Sequence, residues 1–509
     1  MVKKSKGEKK SKGPAKPEWM SEEAFQLTQN VPDLCQNLRG ACGLATVPMT
    51  VSRSQACLLL FQVAVSTPSK REEMVNNGAV GQAMALLAVG EVKDRASTLG
   101  LLHVLSSPAG NNAFEAAREQ LLLVRSAPPH APVNILPILW SCLGGESNSG
   151  EQAACGIIKN LCDAKSTQKS RDAIIKLMQS SNELVNIVRE GRSLRARVDA
   201  VAAIGMCLTT GGADGSCDEL KRRLGKLGCL DAIVSLLAED TTGISPEAEA
   251  GAGAPAAVAP PTQPPGPGEE LLVNAAQCLE LLTSVRENKM RMLKSGGIDV
   301  LSSLLRRRGL PLEAVSHAAG TLHSLMLPLN GDIRDEEMDS RLVTISRCGT
   351  VPQLLRICGG DAAEGGGGGD GGKKKGKGKK KGKKKEPPLP PGMAEAQRSA
   401  TGCLRQLSLL RANKTLIAEA GGIPRIVPLL DAKDEQTRAN ANGLLLSLGM
   451  EPSNREIMKA SKVPSYITGI CAYVGSPALD DELLHASSTG AGQQQPMQMS
   501  QQPGIAAKA

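Results

Sequence analysis

The chain has 509 residues, 41% of them hydrophobic, yet only three Phe, two Tyr and two Trp. Aromatics fill the strands of large β architectures, stack on unpaired bases and build methyl-ammonium cages, so this composition argues against all three. The net charge of +9 is uneven along the chain: residues 1–17 hold seven Lys against one Glu, Lys373 to Lys385 holds ten Lys, and the remainder is at −7.

In chain order, residues 1–18 are Lys-rich, lack the apolar run of a secretory signal, and read as a disordered N-terminus. Residues 19–475 read as all-α, with a core of Leu, Ala, Val, Ile and Met. Self-comparison aligns Asn288-Lys-Met-Arg-Met-Leu-Lys-Ser-Gly-Gly-Ile-Asp-Val-Leu-Ser-Ser-Leu-Leu305 with Asn413-Lys-Thr-Leu-Ile-Ala-Glu-Ala-Gly-Gly-Ile-Pro-Arg-Ile-Val-Pro-Leu-Leu430. Weaker copies begin at Asn77, Leu227, Cys348 and Lys462. Each reads as a short helix, a Gly turn and a second helix, Gly being the residue that bends there without a Cβ clash.

A third helix follows, marked by a small residue, an aliphatic two positions on and Leu five positions on. It appears as Gly100 to Leu105, Gly156 to Leu161, Gly320 to Leu325, Gly402 to Leu407 and Gly443 to Leu448. Gly inside a helix costs about 1 kcal/mol relative to Ala, so its recurrence predicts a close helix approach. The spacing from Gly228 to Gly297 and from Gly349 to Gly422 exceeds the repeat, exposing two insertions. Residues 241–268 are Ala/Pro/Gly-rich, residues 359–391 are Gly/Lys-rich, and both fall between a second and a third helix. Neither composition buries enough apolar surface to order itself, and residues 476–509, Gln/Met-rich from Gly492 onward, likewise read as a disordered tail.

These segments resemble the armadillo repeat family, whose unit of about 40 residues has this helix order, this Gly-Gly-Ile-Pro turn and this Leu-Leu ending. The resemblance implies a superhelical solenoid of about nine repeats over residues 20–475, with degenerate end repeats as caps. It also implies a concave groove lined by third helices. In armadillo importers and catenin-like proteins an Asn ladder on those helices holds a peptide backbone. The matching positions here are Val104, Asn160, Cys207, Leu281, Ser324, Gln406 and Ser447, of which only Asn160 fits, and the accompanying Trp residues are missing. Asn160 itself has two readings, a local backbone cap or a partner contact. The groove candidates are Lys159, Asn160, His323, Ser324, Arg405 and Gln406.

Catalytic signatures are missing: there is no phosphate loop, no nucleophile elbow and no His-Glu-x-x-His. His317 and His323 lie six apart, off a common helix face, and the cysteines form no Cys-x-x-Cys pair and read as buried thiols. The expectation is a non-enzyme without cofactor, metal or small-molecule substrate, and without an apolar run fit to span a bilayer. Lys373, Lys374, Lys375, Lys377, Lys379, Lys380, Lys381, Lys383, Lys384 and Lys385 are interleaved only with Gly and lack Arg and aromatics. Such a run attracts polyanions without reading sequence, so it predicts no sequence-specific nucleic-acid binding. The Lys-Gly-rich start, the missing Asn ladder and the insertions are similar in style to armadillo proteins of the ciliary axoneme. That resemblance implies a scaffold with protein partners, tubulin or axonemal subunits among them, in a cytoplasmic or ciliary setting. The alternative is a nuclear or cytosolic adaptor whose Lys-rich segments are import signals.

Overall fold

A computed structural model describes residues 30–41, 53–89, 92–109, 111–122, 134–145, 147–163, 168–209, 216–242, 267–307, 309–328, 338–360 and 390–474. Every regular element among them is helical. The chain forms two compact units divided between Arg341 and Leu342.

The first unit opens with the pair Val31–Ala41 and Arg53–Ser66, the second and third helices of an incomplete repeat. Five three-helix repeats follow. They are Arg71–Asn76, Ala79–Val89 and Val92–Ser106; Phe114–Leu122, Ile135–Cys142 and Asn148–Cys162; Gln168–Ser180, Glu183–Glu190 and Leu194–Thr209; Ser216–Lys226, Cys229–Thr242 and Pro267–Leu282; and Arg286–Lys294, Gly297–Arg306 and Leu312–Met326. Within this unit each third helix packs directly on the next.

The helix Met338–Arg347 contains the boundary. The second unit continues with Thr350–Cys358 and Met393–Leu407, then Arg411–Glu419, Gly422–Ile426 (extended by the 3-10 turn Val427–Asp431) and Glu435–Gly449. It closes on Arg455–Ala460 and Ser465–Val474. Here too the third helices Met393–Leu407 and Glu435–Gly449 pack on each other.

In five repeats the turn between first and second helices has the same backbone solution. Gly78, Gly228, Gly296, Gly349 and Gly421 occupy it at φ of 78°, 79°, 73°, 72° and 74°, left-handed backbone that a Cβ disfavours. In the last repeat Lys462 takes the same place at φ 57°. The sequence reading of a Gly turn therefore has its reason in positive φ.

The Leu five residues beyond the small position is buried in every complete repeat, as Leu105, Leu161, Leu208, Leu282, Leu325, Leu407 and Leu448, each burial stabilising by roughly 2 kcal/mol. Its carbonyl sits at a helix end with no partner inside the helix. A buried Asn six residues on supplies the donor: Asn288 Nδ2 to Leu282 O at 3.0 Å, Asn413 to Leu407 O at 3.0 Å, Asn454 to Leu448 O at 3.0 Å and Asn111 to Leu105 O at 2.6 Å. Elsewhere Cys217 Sγ donates to Leu208 O at 3.2 Å, and Arg341 Nε to Leu325 O at 3.1 Å. The two best-aligned sequence copies began on this Asn, a residue whose task is to tie one repeat to the next.

The helices Cys229–Thr242 and Pro267–Leu282 bracket the first insertion, and Thr350–Cys358 and Met393–Leu407 bracket the second. The insertions between these helices, the Lys-rich start and the tail after Val474 lie outside the described residues.

Candidate partner-binding strip on the third helices

At Gly100, Gly156, Gly320 and Gly443 the small residue of a third helix faces the third helix before it. The side chain three positions beyond the small position of one repeat, a position held by Leu58 in the first repeat and Gln277 in the fifth, lies across the Gly of a later third helix: Phe61 over Gly100, His103 over Gly156, Glu280 over Gly320 and Arg405 over Gly443. A Cβ at Gly156 would collide with the His103 ring and one at Gly320 with the Glu280 carboxylate; at Gly443 it would stand 2.8 Å from Arg405 Nε. The predicted close approach is thus a side chain seated on backbone.

The fourth repeat has Ala203 at the small position, and there the covering residue, Lys159, runs to Asp199 instead, Nζ to Oδ1 at 2.6 Å. The Asp199 side chain is fully buried and is also held by Arg195, 3.1 Å to Oδ1 and 3.2 Å from Nε to Oδ2. Arg195 in turn reaches Glu270 at 2.7 Å on the next third helix. A chain of ion pairs therefore crosses three successive third helices, and losing one member would leave a buried charge uncompensated. His103 lies beside it. Burial lowers its pKa from the ordinary 6.5, against the upward pull of Asp199, so it is neutral at pH 7.

Asn160, one position on, is buried, its amide donating to Ser106 Oγ at 3.0 Å and to His103 O at 3.4 Å. The same position in later repeats behaves alike: Ser324 Oγ donates to Thr283 O at 3.0 Å and Ser447 Oγ to Ser408 O at 3.0 Å. Lys159, Asn160 and Ser324 thus make bonds within the fold. His323 and Gln406 are half-buried and Arg405 is exposed, with Nη1 3.5 Å from Asn440 Oδ1. Lys373 to Lys385 lie outside the described residues.

Other ionic contacts between repeats have no signature in the sequence. His317 Nδ1 meets Glu280 Oε2 at 2.7 Å between the fifth and sixth repeats. Arg398 holds Asp434 at 2.5 and 3.0 Å between the seventh and eighth. Arg411 meets Glu451 at 2.9 Å. The hydrogen bonds from Arg398 hold the Asp434 carboxyl down at about 2, and the same carboxylate caps its helix by accepting from Thr437 N at 2.8 Å. One signal was visible: Asp199 stands alone among small apolar residues in Leu194–Thr209, where an unpaired acid would be costly.

The thiols are core. Ten of the thirteen described cysteines are buried, and burial pushes Cys229 and Cys358 up to about 12. Among the described residues no group of His, Cys, Asp and Glu is arranged to hold a metal ion. No helix there is long and apolar enough to cross a membrane.

No protein-family model matches the chain, and no curated protein matches it. Among solved structures, the crystal structure of an engineered protein is 16% identical over 90% of this chain and 92% of its own, with a TM-score of 0.53. A designed armadillo repeat protein is 16% identical over 62% of this chain and 99% of its own, at 0.41. The fold is of the armadillo-repeat type. The three-helix unit, its left-handed Gly turn and the third-on-third stacking are its armadillo features, and at these identities the likeness is one of fold. A further match, from computationally designed armadillo repeat proteins for modular peptide recognition, is 16% identical over 61% of this chain and 99% of its own, at 0.41.

Proposed function

We propose that the protein is a non-enzymatic armadillo-type scaffold for other proteins. The observation that carries this reading is the register of its third helices. Within the first unit one covering position per repeat recurs along successive third helices, as Phe61, His103, Lys159, Met206, Glu280 and His323. A row of this kind contacts an extended partner residue by residue, as stacked repeats do. Side chains already bonded between repeats, Asn160 and Ser324 among them, fix the row. Arg405 and Gln406 lead the presented set of the second unit, and His323 that of the first.

The finer reading is a structural component of the ciliary axoneme, in which the Lys-rich segments reinforce docking on acidic, tubulin-like surfaces. Ten lysines in thirteen residues suit such a surface through a salt-sensitive field. Co-pelleting with microtubules at low salt, comparing the full chain with one in which Lys373 to Lys385 are changed to Gln, tests it. Binding that weakens with the substitution and with salt is the expected result. No pelleting of either form ends the tubulin reading, and nuclear accumulation of a fluorescent fusion that disperses on substitution would favour an import adaptor instead.

A further inference from the structure

In the second unit the covering position carries one charge that the fold leaves unanswered. In the first unit the charged covering residues meet complementary groups within the protein: Lys159 reaches Asp199 at 2.6 Å, and Glu280 reaches the His317 ring at 2.7 Å. On the helix Met393–Leu407 the exposed Arg398 grips Asp434 through two nitrogens, at 2.5 and 3.0 Å. Arg405 stands seven residues further along that helix, nearly two turns and so on the same face. It is exposed, and no carboxylate among the described residues lies within ion-pair distance of it. Its one side-chain hydrogen bond among them runs from Nη1 to Asn440 Oδ1 at 3.5 Å.

Arg405 is nonetheless held in place. Its Cδ, Nε and Cζ atoms all come within 3.3 Å of where a Cβ at Gly443 would stand, and the Asn440 that it touches is buried. Gly is unfavourable inside a helix, yet here it leaves the room in which the Arg405 side chain lies along the neighbouring third helix. A guanidinium already seated loses less freedom on meeting a partner than a loose one does. Its fork of donors matches a carboxylate with two parallel hydrogen bonds.

Two neighbours extend the site. Gln406 is half-buried, and its side-chain amide makes no hydrogen bond among the described residues. A primary amide both donates and accepts, as a peptide unit does. One repeat on, Leu446 holds the register position of Arg405 and is half-exposed. Packed helices run about 8–10 Å apart, a span that an extended chain covers in about three residues.

We propose that the third helices of the second unit bind an extended acidic segment of a partner protein. An Asp or Glu side chain seats on Arg405, the adjoining peptide unit on Gln406, and an apolar side chain about three residues away on Leu446. The inference rests on the scaffold reading and adds to it the chemistry of the partner.

Selection of random-sequence peptides on the immobilised full chain, followed by fluorescence anisotropy of the enriched peptides, tests it. Enriched sequences should pair an acid with an apolar residue about three positions away. Changing that acid to Gln, or Arg405→Glu in the protein, should weaken binding about tenfold or more. A peptide with Lys in place of the acid should bind R405E again, a rescue that loss of folding would not permit. Gly443→Ala, which pushes Arg405 off its seat, should weaken the same peptide several-fold while the chain stays folded. Enriched peptides that lack an acid, or that are indifferent to Arg405→Glu, overturn the inference and leave the scaffold reading standing. No enrichment on any form of the chain tells against the scaffold reading itself, and the inference falls with it. Self-association of the full chain that Arg405→Glu abolishes, with no acidic peptide bound, assigns the site to a second copy and overturns the inference as well.

Discussion

The joint between the second and third repeats and the joint between the seventh and eighth use the same device in opposite surroundings. In the first, the half-buried His103 ring lies over buried Gly156, next to the ion chain of Lys159, Asp199 and Arg195. In the second, the exposed Arg405 lies over half-exposed Gly443, beside the open Arg398 and Asp434 pair. One sequence signal, a small residue on a third helix, thus marks a rigid packing contact in one place and a yielding one in another. Its energetic meaning depends on whether the covering side chain has somewhere else to go.

The largest expected effect follows directly. Gly156→Ala drives a Cβ into three atoms of the half-buried His103 ring, all within 2.7 Å of it, and should destabilise the first unit by about 3 kcal/mol in denaturant unfolding. A loss under about 1 kcal/mol would show that the joint yields as readily as its exposed counterpart.

Next in size is Asn413→Ala, which strips the Leu407 carbonyl of its donor and leaves the Ser346 hydroxyl, 2.7 Å from Asn413 Oδ1, without its acceptor. An expected cost of about 2 kcal/mol would set the carbonyl tie above the Arg405 contact in holding the second unit together.

Acid titration should separate the two regions by pH. His103 is held neutral, its folded pKa lying below 6.5. The unfolded chain therefore takes up that proton first, and the contribution of His103 is present above 6.5 and lost as pH falls below it. Asp434 is shifted down to about 2 from an ordinary 3.8, so its contribution persists above 3.8 and is lost as pH falls from there to about 2. The Asp434 contribution is worth about 1 kcal/mol once solvent screening of the partly exposed Arg398 is allowed for. Tm measured from pH 7 down to 2 should lose its first increment in wild type but not in His103→Phe, and its second in wild type but not in Asp434→Asn.

The smallest effect is Gly443→Ala. Arg405 can swing into solvent, and Ala gains about 1 kcal/mol of helix propensity over Gly, so the net change should stay within about 0.5 kcal/mol of zero. A cost near that of Gly156→Ala would erase the distinction between the joints.

The repeat itself was legible because its signals are local. A Gly at left-handed φ and a Leu at fixed distance from a small residue are properties of a single stretch of chain, and Gly296 and Gly421 carry them plainly. What covers the small residue was not legible. The covering residues Phe61, His103, Glu280 and Arg405 share no chemistry, and their partners lie 38 to 53 positions onward in the numbering, a separation that periodicity alone does not pair. Asn160 illustrates the limit. Its position matched a peptide-holding amide, yet the neighbouring Ser106 sits closer than any partner and takes the hydrogen bond. The clamp residues Asn288 and Asn413 stood at the head of the best alignment. Their similarity was readable, but their task was not, because it requires knowing where the preceding helix ends.

The covering pairs have a bearing on how a chain of similar parts folds in the right order. An aromatic ring, an imidazole, a carboxylate and a guanidinium each meet a differently shaped small site, and Lys159 meets a buried acid in place of one. A repeat stacked on the wrong neighbour, whether from the same chain or from a second molecule, would set Glu280 beside Asp199 or the Phe61 ring against Ala203, burying like charges or overfilling the contact. The joints therefore work as addresses. Each repeat accepts the one that follows it and penalises exchange, so permuted or swapped assemblies start at a disadvantage that uniform repeats would not impose.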